Sequence, residues 1–194
     1  MANKGFLLVL MHCPASLEDE FNAWYDTEHI PERLSVPGFE TGLRFLCIAG
    51  APRYLAMYDL APLDVLDSPE YARVSGSNNS PWTRRVTSRV RVYRSVGHQI
   101  YPGNALTRRC ARVTLLRFSG LKGAAGENVV AGMRANFESL AETLQVRVLA
   151  YETGSGIDYL GCVEARAPIG ETLDVRAFGQ CADALDLVNT YVPY

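Results

Sequence analysis

Two similar segments that lie 105 residues apart constrain the fold of this 194-residue chain more than any other feature. One segment reads Tyr-Leu-Ala-Met-Tyr-Asp from Tyr54, and the other reads Tyr-Leu-Gly-Cys-Val-Glu from Tyr159. Each is soon followed by a proline. The distance between them suits two copies of a module of about 100 residues. The sequence therefore predicts an internal duplication, with a first unit at 1–103 and a second unit at 104–194.

The predicted order of strands and helices is the same in both units. The predicted strands of the first unit are 5–13, 39–49, 53–60 and 89–100, and its helices begin at Ser16 and Pro62. The predicted strands of the second unit are 108–118, 145–152, 157–165 and 185–191, and its helices are 128–143 and 172–182. Each unit has the β-α-β-β-α-β order of the ferredoxin-like module. Helices cover one face of such a sheet, so we expect an α+β protein whose two sheets pack face to face as an internal pseudo-dimer.

Composition and charge argue against several classes of protein. A net charge of −2 argues against general nucleic-acid binding, which needs a basic surface. The apolar run 6–11 is too short for a signal-peptide core or a membrane span, and no other stretch approaches a membrane length. The five cysteines are scattered without CxxC spacing, so they indicate neither a zinc site nor a disulfide framework. We predict a cytoplasmic protein with reduced thiols, no metal site and no membrane partner.

The stretch 21–33, FNAWYDTEHIPER, is the most informative segment for function. Leu17, Phe21 and Trp24 form an apolar stripe along the helix that is predicted to contain it. Pro31 interrupts this helix, because a proline removes a backbone hydrogen bond and clashes with the preceding turn. We therefore expect the helix axis to turn there and the Pro-Gly pair at 37–38 to end the segment.

This stretch carries a family resemblance. The string WYDTEHIP at 24–31, followed by Pro-Gly-Phe at 37–39 and by Arg44 on the next strand, resembles the EthD-like family. The resemblance covers residues 5–100 and implies ferredoxin-like halves that close into a dimeric α+β barrel. Relatives in that superfamily include cofactor-free monooxygenases, lactone isomerases and haem-binding enzymes, and many EthD-like proteins have no established activity. The second unit lacks the string, so the resemblance implies one site per chain.

His29 is the first candidate catalytic residue, as a general acid–base. A neutral imidazole near pH 7 can give or take a proton, which suits chemistry on a small carbonyl or enol substrate. Asp26 and Arg33 are three and four positions away, within reach on a helix surface. The alternative is that His29 caps the helix end before Pro31 by bonding exposed carbonyls. The sequence leaves both interpretations open.

Glu28 is the second candidate catalytic residue. Helical periodicity places it on the stripe of Phe21 and Trp24, where an unpaired charge is costly. We expect Glu28 either to form a buried salt bridge with an arginine such as Arg44 or to lie in a polar cleft.

Six further residues are candidates for substrate binding. Trp24 and Tyr25 are expected to pack in the core first and to wall a ligand second. His12 and Tyr58 could share a pocket with His29 if their strand faces line the barrel, although a core histidine is the alternative. The predicted substrate-binding set is Trp24, Tyr25, Asp26, Arg44, His12 and Tyr58.

Five arginines fall within the eleven residues from Arg84 to Arg94. Such a cluster can attract a carboxylate or phosphate ligand. It can also be a solvated strand edge whose charge discourages pairing with another chain. The sequence does not decide between these roles.

The leading functional hypothesis is a cofactor-independent enzyme with His29 as general acid–base. It would act as an isomerase, cyclase or oxygenase on a small organic or aromatic compound. The alternative is a non-catalytic small-ligand-binding or accessory protein in which the motif is architectural, and haem binding is a third hypothesis. No cofactor is predicted, the expected partner is a small molecule, and the sequence leaves open a homodimer of pseudo-dimeric chains.

Overall fold

The fold is a closed antiparallel barrel of eight strands with helices packed on its outside. The computed structural model describes residues 3–123, 125–170 and 172–194. Its strands are β1 Gly5–His12, β2 Leu43–Cys47, β3 Tyr54–Leu60, β4 Arg91–Tyr101, β5 Arg112–Leu121, β6 Thr143–Thr153, β7 Gly156–Ala165 and β8 Leu185–Pro193. Around the barrel they follow the order β1-β3-β2-β8-β5-β7-β6-β4, and β4 closes it against β1. The expected α+β class is therefore confirmed.

The helices are short, apart from one in the second half. They are α1 Glu18–Trp24, α2 Ile30–Leu34, α3 Pro69–Ala72, α4 Pro81–Thr87 and α5 Ala125–Phe137. Segments of 3-10 helix add Ala15–Leu17, Leu63–Asp67, Gly76–Asn78 and Val175–Ala184. Across the described residues, no helix combines the length and apolarity that a membrane span requires.

The helical regions differ from the prediction more than the strands do. The single helix predicted at 62–75 is divided into the 3-10 turn Leu63–Asp67 and α3, and a second 3-10 turn, Gly76–Asn78, follows it. The division has a local cause, because Ser68 caps α3 by accepting a hydrogen bond from the Tyr71 N–H at 3.1 Å. The segment predicted as a helix at 172–182 is instead 3-10 helix, and Gly179 interrupts it with a φ of 55°.

Helix α4 was absent from the prediction. It begins at Pro81, in the first turn, where a proline loses no intrahelical hydrogen bond. The Ser80 hydroxyl oxygen caps it by accepting a hydrogen bond from the Thr83 N–H at 2.9 Å. The Ser-Pro pair was therefore the signal for this helix, although the polar residues before it indicate a loop.

The predicted break at Pro31 is accommodated without ending the helical segment. One π-helical turn, Tyr25–His29, directly follows α1 and leads into α2. Pro31 then lies in the first turn of α2, where its missing N–H costs little. The motif consequently stays on one continuous helical segment, 18–34.

Strand alternation separates the barrel interior from the helix-facing surface. Phe6, Leu8 and Leu10 of β1 point into the barrel and pack with apolar residues of both halves, such as Leu115 and Leu160. The residues between them point outward, against the helices. The interior is thus a packed core, and space for a ligand must lie at its ends or on its outside.

The two halves meet along two seams. The first half contributes β4-β1-β3-β2 and the second contributes β8-β5-β7-β6, each as four adjacent strands. One seam pairs β4 with β6, and the other pairs Phe45–Cys47 of β2 with Tyr191–Pro193 of β8. The second seam ends where the Tyr194 N–H donates to the Arg44 carbonyl oxygen at 3.1 Å. The candidate site opens at this point.

Candidate functional site

A cavity of about 480 Å³ lies at the end of the β2–β8 seam. Its volume falls in the range typical of small-molecule sites, roughly 300–1,000 Å³. Four parts of the chain form its wall: the helical segment 18–34, the start of β2, the connection before β5 and the C-terminus. The lining residues are Asp26, Ile30, Gly42, Leu43, Arg44, Phe45, Arg109, Cys110, Pro193 and Tyr194.

Arg44 is the buried charge of this cavity. Its guanidinium forms an ion pair with Asp26 and donates a hydrogen bond to the Asn22 side-chain oxygen at 2.6 Å. It also lies over two aromatic rings, 4.4 Å from the Tyr25 centroid and 4.2 Å from the Tyr194 centroid. Cation–π contacts of this kind favour a guanidinium that is partly removed from water. Arg44 is therefore held rigidly, with its side chain only 5% exposed.

Asp26 is the exposed partner of this ion pair. Its side chain is 51% exposed, and it lines the cavity together with Ile30, one helical turn further along. Asn22, Asp26 and Ile30 are spaced by four residues, which places them on one side of the helical segment. The carboxylate therefore faces the cavity, and the Arg44 side chain, which also lines the cavity, is mostly buried.

The connection before β5 supplies two further groups, Arg109 and Cys110. Within residues 3–123, 125–170 and 172–194, no carboxylate forms an ion pair with Arg109, and its side chain is exposed. Cys110 is half-buried, and burial, followed by the charge of Glu164, raises the pKa of its thiol to about 11. A neutral thiol is a poor nucleophile. Arg109 thus offers a cation for an anionic ligand, whereas Cys110 serves as wall.

His29 lies outside the cavity wall. Its ring packs 4.4 Å from the Trp24 ring and 5.0 Å from the Tyr25 ring. Burial, reinforced by the charges of Arg33 and Arg44, lowers the pKa of His29 to about 3. Its Nδ1 is buried without a hydrogen-bond partner among the described residues, and its side chain does not cap α2. His29 is therefore a neutral packed ring at pH 7, and the helix-capping interpretation was wrong.

Glu28 holds two helices together. One of its carboxylate oxygens accepts hydrogen bonds from the Ser80 and Thr83 hydroxyls, the latter at 3.0 Å. The Trp24 indole N–H donates to the same Thr83 hydroxyl at 3.0 Å. The expected bond between Glu28 and Arg44 is not formed, because Arg44 pairs with Asp26 instead. Glu28 and Trp24 thus fasten α1 and the π turn to the start of α4.

The structure does not bring His12 and Tyr58 together. Tyr58 is buried in the cluster between the sheet and the helices, as are Trp24 and Tyr25. His12 is exposed at the end of β1, where it pairs with Arg91 of β4. Of the six predicted substrate-binding residues, only Asp26 and Arg44 line the cavity.

The arginine cluster does not converge on one point. Arg84 donates to the Asn79 carbonyl oxygen, and Arg85 forms an ion pair with Glu20 at 2.9 Å. The remaining arginines of the cluster, Arg89, Arg91 and Arg94, are all exposed, between the end of α4 and the first residues of β4. Among the described residues, moreover, no group of three His, Cys, Asp or Glu side chains is placed to hold a metal ion.

Sequence reasoning missed four residues of the site and its surroundings, Asn22, Arg109, Cys110 and Tyr194. Asn22 had a detectable signal, because it lies four residues before Asp26 on a predicted helix. Arg109 lies at the predicted unit boundary, where residues from both halves can meet. Nothing in the sequence marks Tyr194, which reaches the cavity only because β8 pairs with β2.

The fold belongs to the class of α+β barrels, and comparisons with known proteins agree with this. No family model and no curated protein matches the chain. Among solved structures, an anthrone oxidase-like protein superposes with a TM-score of 0.71 at 8% identity, covering 100% of this chain and 92% of that one.

Two further structures share the fold at lower similarity. A proposed monooxygenase from Lactobacillus acidophilus superposes with a TM-score of 0.57 at 13% identity, over 98% of this chain and 94% of that one. A heme-binding protein from Thermus thermophilus superposes with a TM-score of 0.58 at 9% identity, over 100% of this chain and 92% of that one. At these identities the likeness shows the dimeric α+β barrel fold alone.

The neighbour from Thermus thermophilus binds haem, and the residues present in this chain bear on whether that cofactor fits here. Haem iron is commonly held by a histidine, a thiolate or a tyrosinate. Among the described residues, no histidine lines any of the five cavities with defined walls. His29 is wedged between two rings, and the raised pKa of Cys110 disfavours a thiolate. The cavity therefore offers neither a histidine nor a thiolate as an axial haem ligand.

Proposed function

We propose that this protein is a small-molecule enzyme of oxidative type that works without a bound cofactor. Its substrate is an enolisable aromatic compound, which binds in the cavity at the β2–β8 seam and is deprotonated there. The observation that carries this proposal is an apolar-walled cavity with two arginines and one exposed carboxylate. Three neighbours by fold, described as an anthrone oxidase-like protein and proposed monooxygenases, are consistent with oxidative chemistry.

Each group has a chemical part in the proposed reaction. The Asp26 carboxylate accepts a proton from an acidic methylene, and the guanidiniums of Arg44 and Arg109 stabilise the resulting enolate. Dioxygen is the co-reactant, and a bond forms between it and the carbanion carbon. The Asp26 carboxyl returns its proton to the peroxide, and cleavage of the O–O bond with loss of the second C–H as a proton then gives a carbonyl and water. The balance is R₂CH₂ + O₂ → R₂C=O + H₂O.

Proton transfer is assigned to Asp26 rather than to His29. An imidazole with a pKa near 3 is neutral at pH 7, so it has no imidazolium proton to donate and is a weak base. It also lies behind Tyr25 rather than in the wall of the cavity. For these reasons we rank His29 second to Asp26 as the general acid–base, and His29 stays the alternative proposal for the proton transfer.

The alternative proposal is a non-catalytic ligand-binding protein. The observation that favours it is that Glu28, Trp24 and His29 all serve packing in the described structure. In this case the arginines would bind an aromatic anion, and no dioxygen would be consumed.

We also infer that the chain is an EthD-like protein that arose by duplication, with units 1–103 and 104–194. The two halves use the same strand order, β4-β1-β3-β2 and β8-β5-β7-β6. The similar segments from Tyr54 and Tyr159 fall on the equivalent strands β3 and β7. Three further proposals come from the sequence. They are a cytoplasmic location, a small-molecule partner rather than a nucleic acid, and a homodimer of such chains.

The test is turnover of 1,8-dihydroxyanthrone in aerated buffer, followed by an oxygen electrode and by absorbance of the anthraquinone. The wild type should consume one dioxygen per substrate above the buffer rate. Asp26→Asn should lower kcat by about 100-fold, and Arg109→Met should raise KM by about 10-fold. The matched control is Arg91→Met, at an exposed arginine of β4, which should change neither value. Binding without dioxygen consumption would support the alternative, and an unchanged rate for Asp26→Asn would refute the mechanism.

A further inference from the structure

A charged cluster lies inside the barrel beneath the cavity. Arg147 of β6 is 0% exposed, and its guanidinium lies between two carboxylates. It contacts Asp59 of β3 at 2.8 Å and Glu164 of β7 at 2.9 Å, and it donates to the Thr107 hydroxyl at 2.7 Å. Other interior positions of the barrel are largely apolar. Burying three charges there is costly, which calls for a role beyond filling space.

The two carboxylates come from equivalent places in the two halves. Asp59 is the sixth residue of the segment that begins at Tyr54, and Glu164 is the sixth residue of the segment that begins at Tyr159. Each half therefore sends one carboxylate to the same point, and a single arginine of the second half joins them.

In each carboxylate, the oxygen that does not contact Arg147 accepts a hydrogen bond from the chain segment that connects β4 to β5. The Thr107 N–H donates to Asp59 at 2.6 Å, and the Arg108 N–H donates to Glu164 at 2.7 Å. Just before them, the Gln99 side chain makes two hydrogen bonds to the Ala105 backbone, at 2.8 and 3.1 Å. The Gln145 side chain also donates to the Leu106 carbonyl oxygen at 2.7 Å, so the backbone from 105 to 108 is fixed at five points.

The next two residues, Arg109 and Cys110, line the cavity. The cluster also acts electrostatically on the cavity wall, because the negative charge of Glu164 helps to raise the pKa of the Cys110 thiol. We propose that Arg147, Asp59 and Glu164 are positioning residues, which hold the segment 105–110 so that Arg109 faces the ligand. This inference rests on the proposed function, since it concerns the same cavity.

The experiment compares two triple variants of the full chain. Asp59→Asn, Arg147→Met, Glu164→Gln removes the charges but keeps side-chain carbonyl oxygens that accept the two N–H groups. Asp59→Leu, Arg147→Met, Glu164→Leu removes the acceptors as well. Replacing a whole buried ionic cluster with apolar groups often preserves stability, so both variants are expected to fold.

Two readouts follow positioning directly. Hydrogen exchange of the 107 and 108 amides should rise at least about 10-fold in the leucine variant and by an intermediate amount, about threefold, in the Asn/Gln variant, which keeps the acceptors but loses the arginine that holds them. Affinity for 1,8-dihydroxyanthraquinone, measured by calorimetry, should fall about 10-fold in the leucine variant and by less than about threefold in the other. The inference is overturned if exchange does not rise, or if it rises while the affinity stays at the wild-type value.

Failure of the proposed function gives a different pattern. If the wild type does not bind the anthraquinone, alkylation of Cys110 by iodoacetamide replaces affinity as the readout of the cavity wall. Both variants lack the Glu164 charge, so a faster reaction in the leucine variant alone reports a displaced wall and supports the inference. Equal rates in the two variants refute it. If the leucine variant does not fold, Arg147→Lys takes its place. A lysine cannot bond both carboxylates with the fork geometry of a guanidinium, so hydrogen exchange of the 107 and 108 amides should rise. Unchanged exchange would refute the inference.

Discussion

Arg44 shows how a charge is kept in a largely apolar wall. Two rings, Tyr25 and Tyr194, lie against its guanidinium, and Asn22 and Asp26 take its hydrogen bonds. The sequence marks Arg44 as a charge on a strand, but all four partners come from elements that meet it only after folding. The residues of the 21–33 stretch therefore divide into packing residues, Trp24, Glu28 and His29, and cavity residues, Asp26 and Ile30.

The neutral state of His29 makes stability depend on pH. Its pKa is about 3 in the folded protein and near 6.5 in an unfolded chain, so the unfolded state binds the proton more tightly. Stability should therefore fall as pH decreases from about 6.5 toward 3. Between pH 7 and pH 4.5 the wild type should lose about 2 kcal/mol more unfolding free energy than His29→Phe, as measured by urea titration. Equal losses in the two proteins would mean that His29 is accessible to protons in the fold.

Glu28 is expected to matter for stability and not for turnover. Glu28→Leu leaves the Ser80 and Thr83 hydroxyls without their acceptor and should lower the unfolding free energy by about 2 kcal/mol. Glu28→Gln keeps an acceptor oxygen and should cost less than about 1 kcal/mol, with kcat unchanged. If Glu28→Gln were as stable as wild type but inactive, the catalytic role predicted from the sequence would be restored.

At the scale of elements, sequence patterns located strands better than helices. Alternation and short apolar runs identify β1, β3, β6 and β7 closely, because the pattern itself reflects two buried faces. The helical regions depend on local caps and tertiary contacts, so the region after Pro62 became several short turns. The π turn Tyr25–His29 has no pattern of its own in the sequence, since it results from fitting Pro31 into a continuous helical segment.

The packing of α5 on the 3-10 segment Val175–Ala184 can be tested at one glycine. A Cβ at Gly132 would lie 2.2 Å from the Phe178 ring, which is itself fully buried. Gly132→Ala should therefore lower the unfolding free energy by about 2 kcal/mol, despite a gain in helix propensity of about 1 kcal/mol. Gly154→Ala is the control, because a Cβ there meets nothing within 4 Å. A stabilised Gly132→Ala protein would show that this contact is loose.

At the scale of the whole molecule, the repeated element order predicted two sheets packed as a pseudo-dimer; the structure shows one closed barrel of eight strands, and duplication of the halves stays a proposal. The site was less accessible from the sequence because its wall is assembled across a seam. Asp26 and Arg44 belong to the first half, Arg109 to the connection and Tyr194 to the end of the last strand. A single sequence carries no signal for contacts between residues so far apart along the chain. Sequence analysis therefore identified only the cavity residues of the first half, Asp26 and Arg44.

The shared interior predicts that the two halves unfold together. Both tryptophans, Trp24 and Trp82, lie in the first half, whereas far-UV circular dichroism reports on strands of both halves. The core inside the barrel combines side chains of both halves, and two seams join their sheets. Urea unfolding followed by fluorescence and by circular dichroism should therefore give coincident midpoints. Separate midpoints would show that each half is a cooperative unit of its own.

The most direct test of the proposed site is a crystal structure of the protein with 1,8-dihydroxyanthraquinone. We predict ligand density at the β2–β8 seam, with an oxygen of the anthraquinone bonded to Arg109 and its rings against Tyr194 and Ile30. Density in the larger groove of about 640 Å³ beside α5, lined by Ile100 and Tyr159, would contradict this. So would a seam cavity that stays empty at saturating ligand.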